Sequence, residues 1–374
     1  MTKVSNTFCV VPWIGAVIAP NRENLICCRA NETVTEYTLD SVNTKTHQHL
    51  RDALGKGIKD PICNRCWSDE KAGIESYREN YNRTYKDLIA SDAYDPPKLR
   101  FLELTPSNVC NLACRMCTSK YSSKIVARER YLSEIDLFDI TEKSKFTSWR
   151  DLDLTNLEEI KLMGGEPMYL KDHLNLLNYL DDLDILKNIS LMLITNCTQK
   201  FTDEWKRLLT KAKTTHIAMS IDGVGSINDY IRQYSDWSNI EKNLKEIFEI
   251  NSEFKNISIS VNCTVSLYNV NKTKELEEYM QKNNVHCYFN PLTYPKYQSL
   301  HYISESNKKY FLQHPGVTDK VKHVFRETTE NIVSYDEFIK QTSAVDEFYS
   351  KFLKDYNFEI YNIFYKNSNQ NNST

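Results

Sequence analysis

Three things are scarce in this chain of 374 residues: glycine, surplus charge and long apolar runs. Nine glycines leave few places where the backbone can let a ligand approach closely, so a glycine pair stands out. A formal net charge of -3 gives no electrostatic footprint for wrapping nucleic acid, and neither RNA nor DNA is an expected partner. No apolar run nears the roughly 20 residues that cross a bilayer, so no membrane span is expected. The opening MTKVSNTFCVVPWIGAV shows neither the charged-then-apolar order nor the cleavage site of a secretory signal, which makes the cytoplasm the expected compartment. Cysteine, by contrast, is plentiful. In a reducing compartment, 11 thiols point to metal or catalytic use before disulfides.

Between Leu99 and Pro291, short β-like runs alternate with amphipathic helical patterns, which predicts βα units and a parallel sheet. The candidate strands are LRFLELT, LEEIKLMGG, ISLMLITN, HIAMSID, ISISVNCTV and VHCYFNP. In the fourth, His216, Ala218, Ser220 and Asp222 share one face; in the fifth, Ser258, Ser260 and Asn262 do. A sheet with one apolar and one polar face suits helices outside and a lined cavity inside. Periodicity alone leaves an open doubly wound sheet and an incomplete barrel as alternatives. Ser238-Asn-Ile-Glu241 reads as a capping box opening a helix that buries Ile240, Leu244, Ile247 and Phe248. A further helix is expected from about Ile74 to Leu88. The closing residues NSNQNNST read as a disordered tail.

Chemistry concentrates after the first candidate strand, where Cys110, Cys114 and Cys117 stand in a C-x3-C-x2-C spacing. Three thiolates on one short loop can hold three corners of a [4Fe–4S] cube and leave the fourth iron without a protein ligand. An open coordination position is what separates catalytic from structural metal sites. Zinc would want a fourth ligand, and none lies nearby in the sequence. The spacing resembles the signature of radical S-adenosylmethionine (SAM) enzymes, whose fourth iron takes the amino and carboxylate groups of SAM. Met163-Gly-Gly-Glu-Pro167 resembles that family's GGE motif, which makes Gly164, Gly165 and Glu166 expected SAM contacts. Ser220 and Asp222 resemble the SxDG segment of the fourth strand, and Arg232 resembles the arginine that pairs with the SAM carboxylate. Asn262 matches a ribose-reaching position on the fifth strand, and Thr195-Asn196 resembles a Thr-Asn-Gly in which Cys197 replaces the glycine.

A second cysteine group precedes this one: Cys9, Cys27, Cys28, Cys63 and Cys66. Its surroundings resemble the twitch or SPASM modules that hold auxiliary clusters in radical SAM enzymes. Cys9, one of Cys27 or Cys28, Cys63 and Cys66 would fully ligate one auxiliary [4Fe–4S] cluster. A small zinc fold is the alternative for these residues. Of the remaining cysteines, Cys197, Cys263 and Cys287 lie near strand ends; Cys197 is the candidate hydrogen-atom donor to a substrate radical.

The resemblance implies an α/β fold: a partial (β/α)6 TIM-like barrel with a small N-terminal cysteine-rich module and a C-terminal helical extension. The expected divisions are 1–90 for the auxiliary module, 91–97 for a linker, 98–295 for the barrel, 296–366 for the helical extension and 367–374 for the tail. It further implies reductive cleavage of SAM to a 5′-deoxyadenosyl radical that abstracts hydrogen from substrate, as in an oxidoreductase or a peptide- or protein-modifying maturase. A small metabolite or sugar is the alternative substrate, and a non-catalytic zinc-binding interaction protein the alternative class. Flavodoxin or ferredoxin would be the electron donor.

Overall fold

The computed structural model describes residues 4–19, 24–30, 42–132, 149–326 and 332–371. Among them, eight strands form the main sheet: β1 Gly15–Ile18, β2 Asn24–Leu25, β3 Phe101–Leu104, β4 Glu159–Leu162, β5 Ser190–Thr195, β6 Thr214–Ser220, β7 Ile257–Val265 and β8 His286–Pro291. Their order is β8-β7-β6-β5-β4-β3-β1-β2. Seven strands run parallel and β2 returns antiparallel to β1, giving a TIM-like α/β arrangement that does not close. All six expected strands are present. They are legible because their apolar residues alternate or cluster between turn residues.

The first strand of the sheet is an addition. β1 pairs parallel with β3, Gly15 opposite Phe101 and Ile18 opposite Leu104, so the cysteine-bearing N-terminal segment contributes to the sheet itself. All four β1 residues are buried. Such a short run, entered directly from the helix α1 Val11–Ile14, offers no periodicity to read.

Two compact units divide the chain: residues 1–108, 139–193 and 207–215 form one, and 109–138, 194–206 and 216–374 the other. In the first, α1, α2 Asn64–Lys71 and α3 Tyr77–Thr84 pack around Phe8, Trp13, Leu50, Leu54, Tyr81 and Phe101. The expected 74–88 helix is present as α3 and a short helix over Lys86–Ala90, separated at Tyr85, and it starts at Tyr77 because Ser76 and Glu79 form a reciprocal capping box. The second unit contains α4 Val126–Tyr131, α5 Trp237–Glu253, α6 Tyr335–Tyr349 and α7 Phe358–Asn371.

Two expectations are corrected here. α5 is capped by Asp236, which accepts the Ser238 N–H at 2.9 Å, and not by a box at Ser238, whose hydroxyl instead bonds Asp236 at 2.8 Å. The tail expected to be disordered from residue 367 is helical through Asn371. Stacked Tyr361 and Tyr365, and Phe364 against Phe338, anchor the start of α7, and an established helix adds residues at low cost. No helix among the described residues is long and apolar enough to cross a membrane.

Candidate active site

The loop after β3 is held by backbone contacts before any metal is considered. Ala113 and Cys114 bridge antiparallel to Gln233 and Arg232, and Arg115 N–H donates to Ile231 O at 2.8 Å. From α4, Arg128 donates to the carbonyls of Cys114 at 3.3 Å, Arg115 at 3.2 Å and Cys117 at 2.8 Å. One guanidinium thus gathers the turn between the second and third thiols. Arg115 fixes the loop from below: its guanidinium lies 3.7 Å from the Tyr230 ring centre and pairs with Asp346 of α6 at 2.8 Å.

All three thiols are half-buried. Burial raises the Cys114 thiol, with Cys117 and Cys110 adding and Arg232 opposing. Burial and Cys110 push Cys117 up to about 11, with Arg128 and Arg232 pulling back. A positive ligand would release these protons, as metal binding to thiols does. Among the described residues, no three Cys, His, Asp or Glu side chains converge closely enough to share one metal ion. Three thiols on one loop are the donor type that an iron–sulfur cube takes.

Arg232 brings a third guanidinium to this loop. Its Nε pairs with Asp222 Oδ2 at 2.8 Å and its Nη1 lies 3.8 Å from Cys114 Sγ. Burial lowers its affinity for the proton, but Asp222 and the Cys114 thiol outweigh that and hold it raised. Asp222 is itself clamped, accepting Thr264 N–H at 2.8 Å, while its own N–H donates to Asn228 at 3.1 Å. Ser220 and Asn262 are half-buried on neighbouring strands, with Asn262 opposite Tyr288. Asn196 donates to Asn111 Oδ1 at 2.9 Å, tying the end of β5 to the cysteine loop. Cys197 is fully buried at φ 61°, a left-handed conformation that favours glycine, and its thiol lies 3.7 Å from Thr195 O.

The glycine turn belongs to the other unit. Gly164 adopts φ 144°, and a Cβ there would sit 3.1 Å from Ser107 O. Gly165 N–H donates to that same carbonyl at 3.2 Å, three residues before Cys110. Glu166 is buried and accepts the Met168 N–H at 3.2 Å, capping the turn that follows. Beneath it, His173 lies 3.2 Å from Pro167 O and 3.4 Å from Leu104 O.

Residues 104–282, which include the cysteine loop, the glycine turn, Asp222 and Arg232, match the family model of the radical SAM superfamily. The chain carries a radical SAM domain. A GTP 3′,8-cyclase of Mannheimia succiniciproducens is 27% identical over 154 residues, covering 41% of this chain and 42% of that protein, so the match spans less than half of this relative. Solved structures to which the chain is similar include native anSMEcpe with bound AdoMet and a Cp18Cys peptide, at 18% identity, 58% coverage of each chain and a TM-score of 0.37. Streptococcus suis SuiB bound to S-adenosylmethionine is 14% identical, covering 75% of this chain and 61% of that one, with a TM-score of 0.36. The overlays are too loose to inform the site.

The N-terminal cysteines lie outside the matched radical SAM domain and form a group of their own. Burial raises the Cys9 thiol, and Cys63 and Cys66 add to it. Burial raises Cys27 as well, followed by the charges of Cys28, Cys9 and Cys63. Cys28 faces elsewhere: burial and Glu103 push it up to about 11, against a hydrogen bond from Tyr77 and the charge of Lys161. The pair left open by the sequence therefore divides, with Cys27 beside Cys9 and Cys63 and Cys28 over β3 and β4. There, Lys161 Nζ donates to Tyr81 OH at 2.9 Å and Tyr81 OH donates to Glu159 at 3.1 Å.

Sequence reasoning missed Asn111, Arg115 and Arg128, which shape the cysteine loop. Asn111 and Arg115 lie inside the motif at its variable positions. Arg128 follows Cys117 on a helix too short to show a pattern.

Proposed function

We propose that this chain is a radical SAM enzyme whose cluster is held by Cys110, Cys114 and Cys117 and whose SAM contacts include Gly164, Gly165, Glu166, Asn196, Ser220, Asp222, Arg232 and Asn262. The observation that carries this reading is the buried Asp222–Arg232 pair set against the Cys114 thiol inside a backbone-caged triad. When bound, cluster and SAM supply reductive cleavage to methionine and a hydrogen-abstracting 5′-deoxyadenosyl radical. The protein's own residues position and shield. Arg232, oriented by Asp222, offers its fork to a carboxylate. Arg128 holds the turn between Cys114 and Cys117, and the Gly164 turn exposes backbone groups without a Cβ in the way.

Cys9, Cys27, Cys63 and Cys66 would hold an auxiliary [4Fe–4S] cluster in a twitch-like module, leaving Cys28 outside the ligand set. That second group supports an oxidoreductase or a peptide- or protein-modifying maturase, with flavodoxin or ferredoxin as electron donor. Cys197 remains the candidate hydrogen-atom donor, and its complete burial requires the β5 turn to open first. The GTP 3′,8-cyclase relative favours a small metabolite as the second reading of the substrate.

Anaerobic protein incubated with dithionite and SAM should release 5′-deoxyadenosine; protein with a full complement of iron and sulfide that releases none would refute the enzyme reading. Replacing Cys63 and Cys66 together with alanine should remove one cluster's iron and leave SAM cleavage in place. Zinc in place of iron at that site would return it to a structural role.

A further inference from the structure

In the first unit, α2 begins at Cys63, carries Cys66, and borders a shallow surface depression of about 420 Å³. Asn64 and Trp67, each next in sequence to one of those thiols, line it with Lys59, Ser68, Glu70 and Lys71. No cysteine lines it. Charge along this segment is sorted, because every acid between residues 56 and 71 already has a partner. Asp60 accepts Ile62 N–H at 2.9 Å and meets His49 Nε2 at 2.8 Å, while Asp69 pairs with Arg29 at 2.6 Å. Glu70 pairs with Arg78 at 2.8 Å and accepts the Ser76 hydroxyl at 2.7 Å. The cations are left over: Lys56, Lys59, Arg65 and Lys71 are exposed and, among the described residues, none has a carboxylate partner. Lys59 lies 5.3 Å from the Trp67 ring centre. Ile58 and Ile74, near the two ends of the segment, are 54% and 60% exposed.

Cations whose neighbouring acids are all engaged leave a positive surface, and such a surface steers acidic partners into place. Exposed isoleucines beside the cations suit the rim of a protein interface more than a phosphate backbone. Position adds the purpose, because electron transfer falls off steeply with distance and this face adjoins two thiols of the N-terminal group. Resting on the reading of those thiols as cluster ligands, we propose that the face docks an acidic one-electron carrier protein, which exchanges electrons with the auxiliary cluster beside Cys63 and Cys66. The reduced carrier loses one electron and the cluster gains it, with no bond made or broken. The reverse step returns an electron to the oxidised carrier.

Fluorescently labelled flavodoxin, titrated into the full-length protein after anaerobic cluster reconstitution, decides this. Binding should weaken steeply as salt is added, and Lys59→Glu with Lys71→Glu should weaken it about tenfold or more at low ionic strength. Lys242→Glu with Lys245→Glu, at two exposed positions on α5 of the other unit, should leave it unchanged. Flavodoxin hydroquinone should be reoxidised about tenfold more slowly by the Lys59→Glu, Lys71→Glu protein. Dithionite, a small reductant with no need to dock, should reduce both proteins alike. No binding at low salt, unchanged affinity in the folded Lys59→Glu, Lys71→Glu protein, equal weakening by the α5 pair, or tighter binding of an RNA oligonucleotide than of flavodoxin would each overturn the proposal. Iron analysis and 5′-deoxyadenosine release with dithionite, measured on the same samples, report on the cluster and SAM readings, so their failure is told apart from a failure to dock.

Discussion

Arg232 and Asp222 show how a single pair ties stability to chemistry. Both are buried, and the pair lies against Cys114, so removing one partner strands a charge away from water. Arg232→Met is expected to cost about 3 kcal/mol or more of unfolding free energy, read from urea titration. Adding Asp222→Leu should recover much of that stability without restoring SAM binding, because the proposed carboxylate receptor is still gone. If the double variant proved as unstable as Arg232→Met, the stranded-charge account would be wrong. The N-terminal thiols separate in the same way: if they hold the proposed auxiliary cluster, Cys27→Ser should lose its iron while Cys28→Ser keeps it, as iron analysis after anaerobic reconstitution will show.

Among the elements, the glycine turn after β4 is the most constrained. Gly164→Ala places a methyl 3.1 Å from Ser107 O at a φ that L-residues avoid, and should cost about 1–2 kcal/mol while weakening SAM binding. Below that turn, burial holds the His173 imidazole neutral, with its proton affinity lowered. Its unfolded form binds protons more readily, so stability should be fully present above about pH 6.5 and fall as the medium is acidified. Replacing His173 with glutamine should flatten the pH dependence of the urea midpoint. Much of this was legible beforehand: the triad, the glycine pair and all six expected strands follow from spacing and alternation. The Asp222–Arg232 pair was not, since the two residues come together only through the helix and bridge between them. Nor was the choice between Cys27 and Cys28, adjacent residues whose side chains a bent backbone sends in different directions.

For the whole molecule, the C-terminal helix is part of the second unit's core. Ile360 and Phe364 are buried, Phe364 against Phe338 at 4.3 Å between ring centres, so ending the chain at Asn357 should cost about 3–6 kcal/mol and lower the melting temperature. A truncated chain that melts like the intact one would show that α7 is dispensable.

β1 has a consequence for how the cysteine-rich segment can be handled. By lying along β3 in parallel register, it satisfies a row of backbone groups that would otherwise be open to another chain. A fragment beginning at residue 98 would present that row as a sticky, self-complementary border and should precipitate or assemble edge to edge. The N-terminal thiols thus share a segment with the strand that covers the edge of β3, and removing the segment removes both.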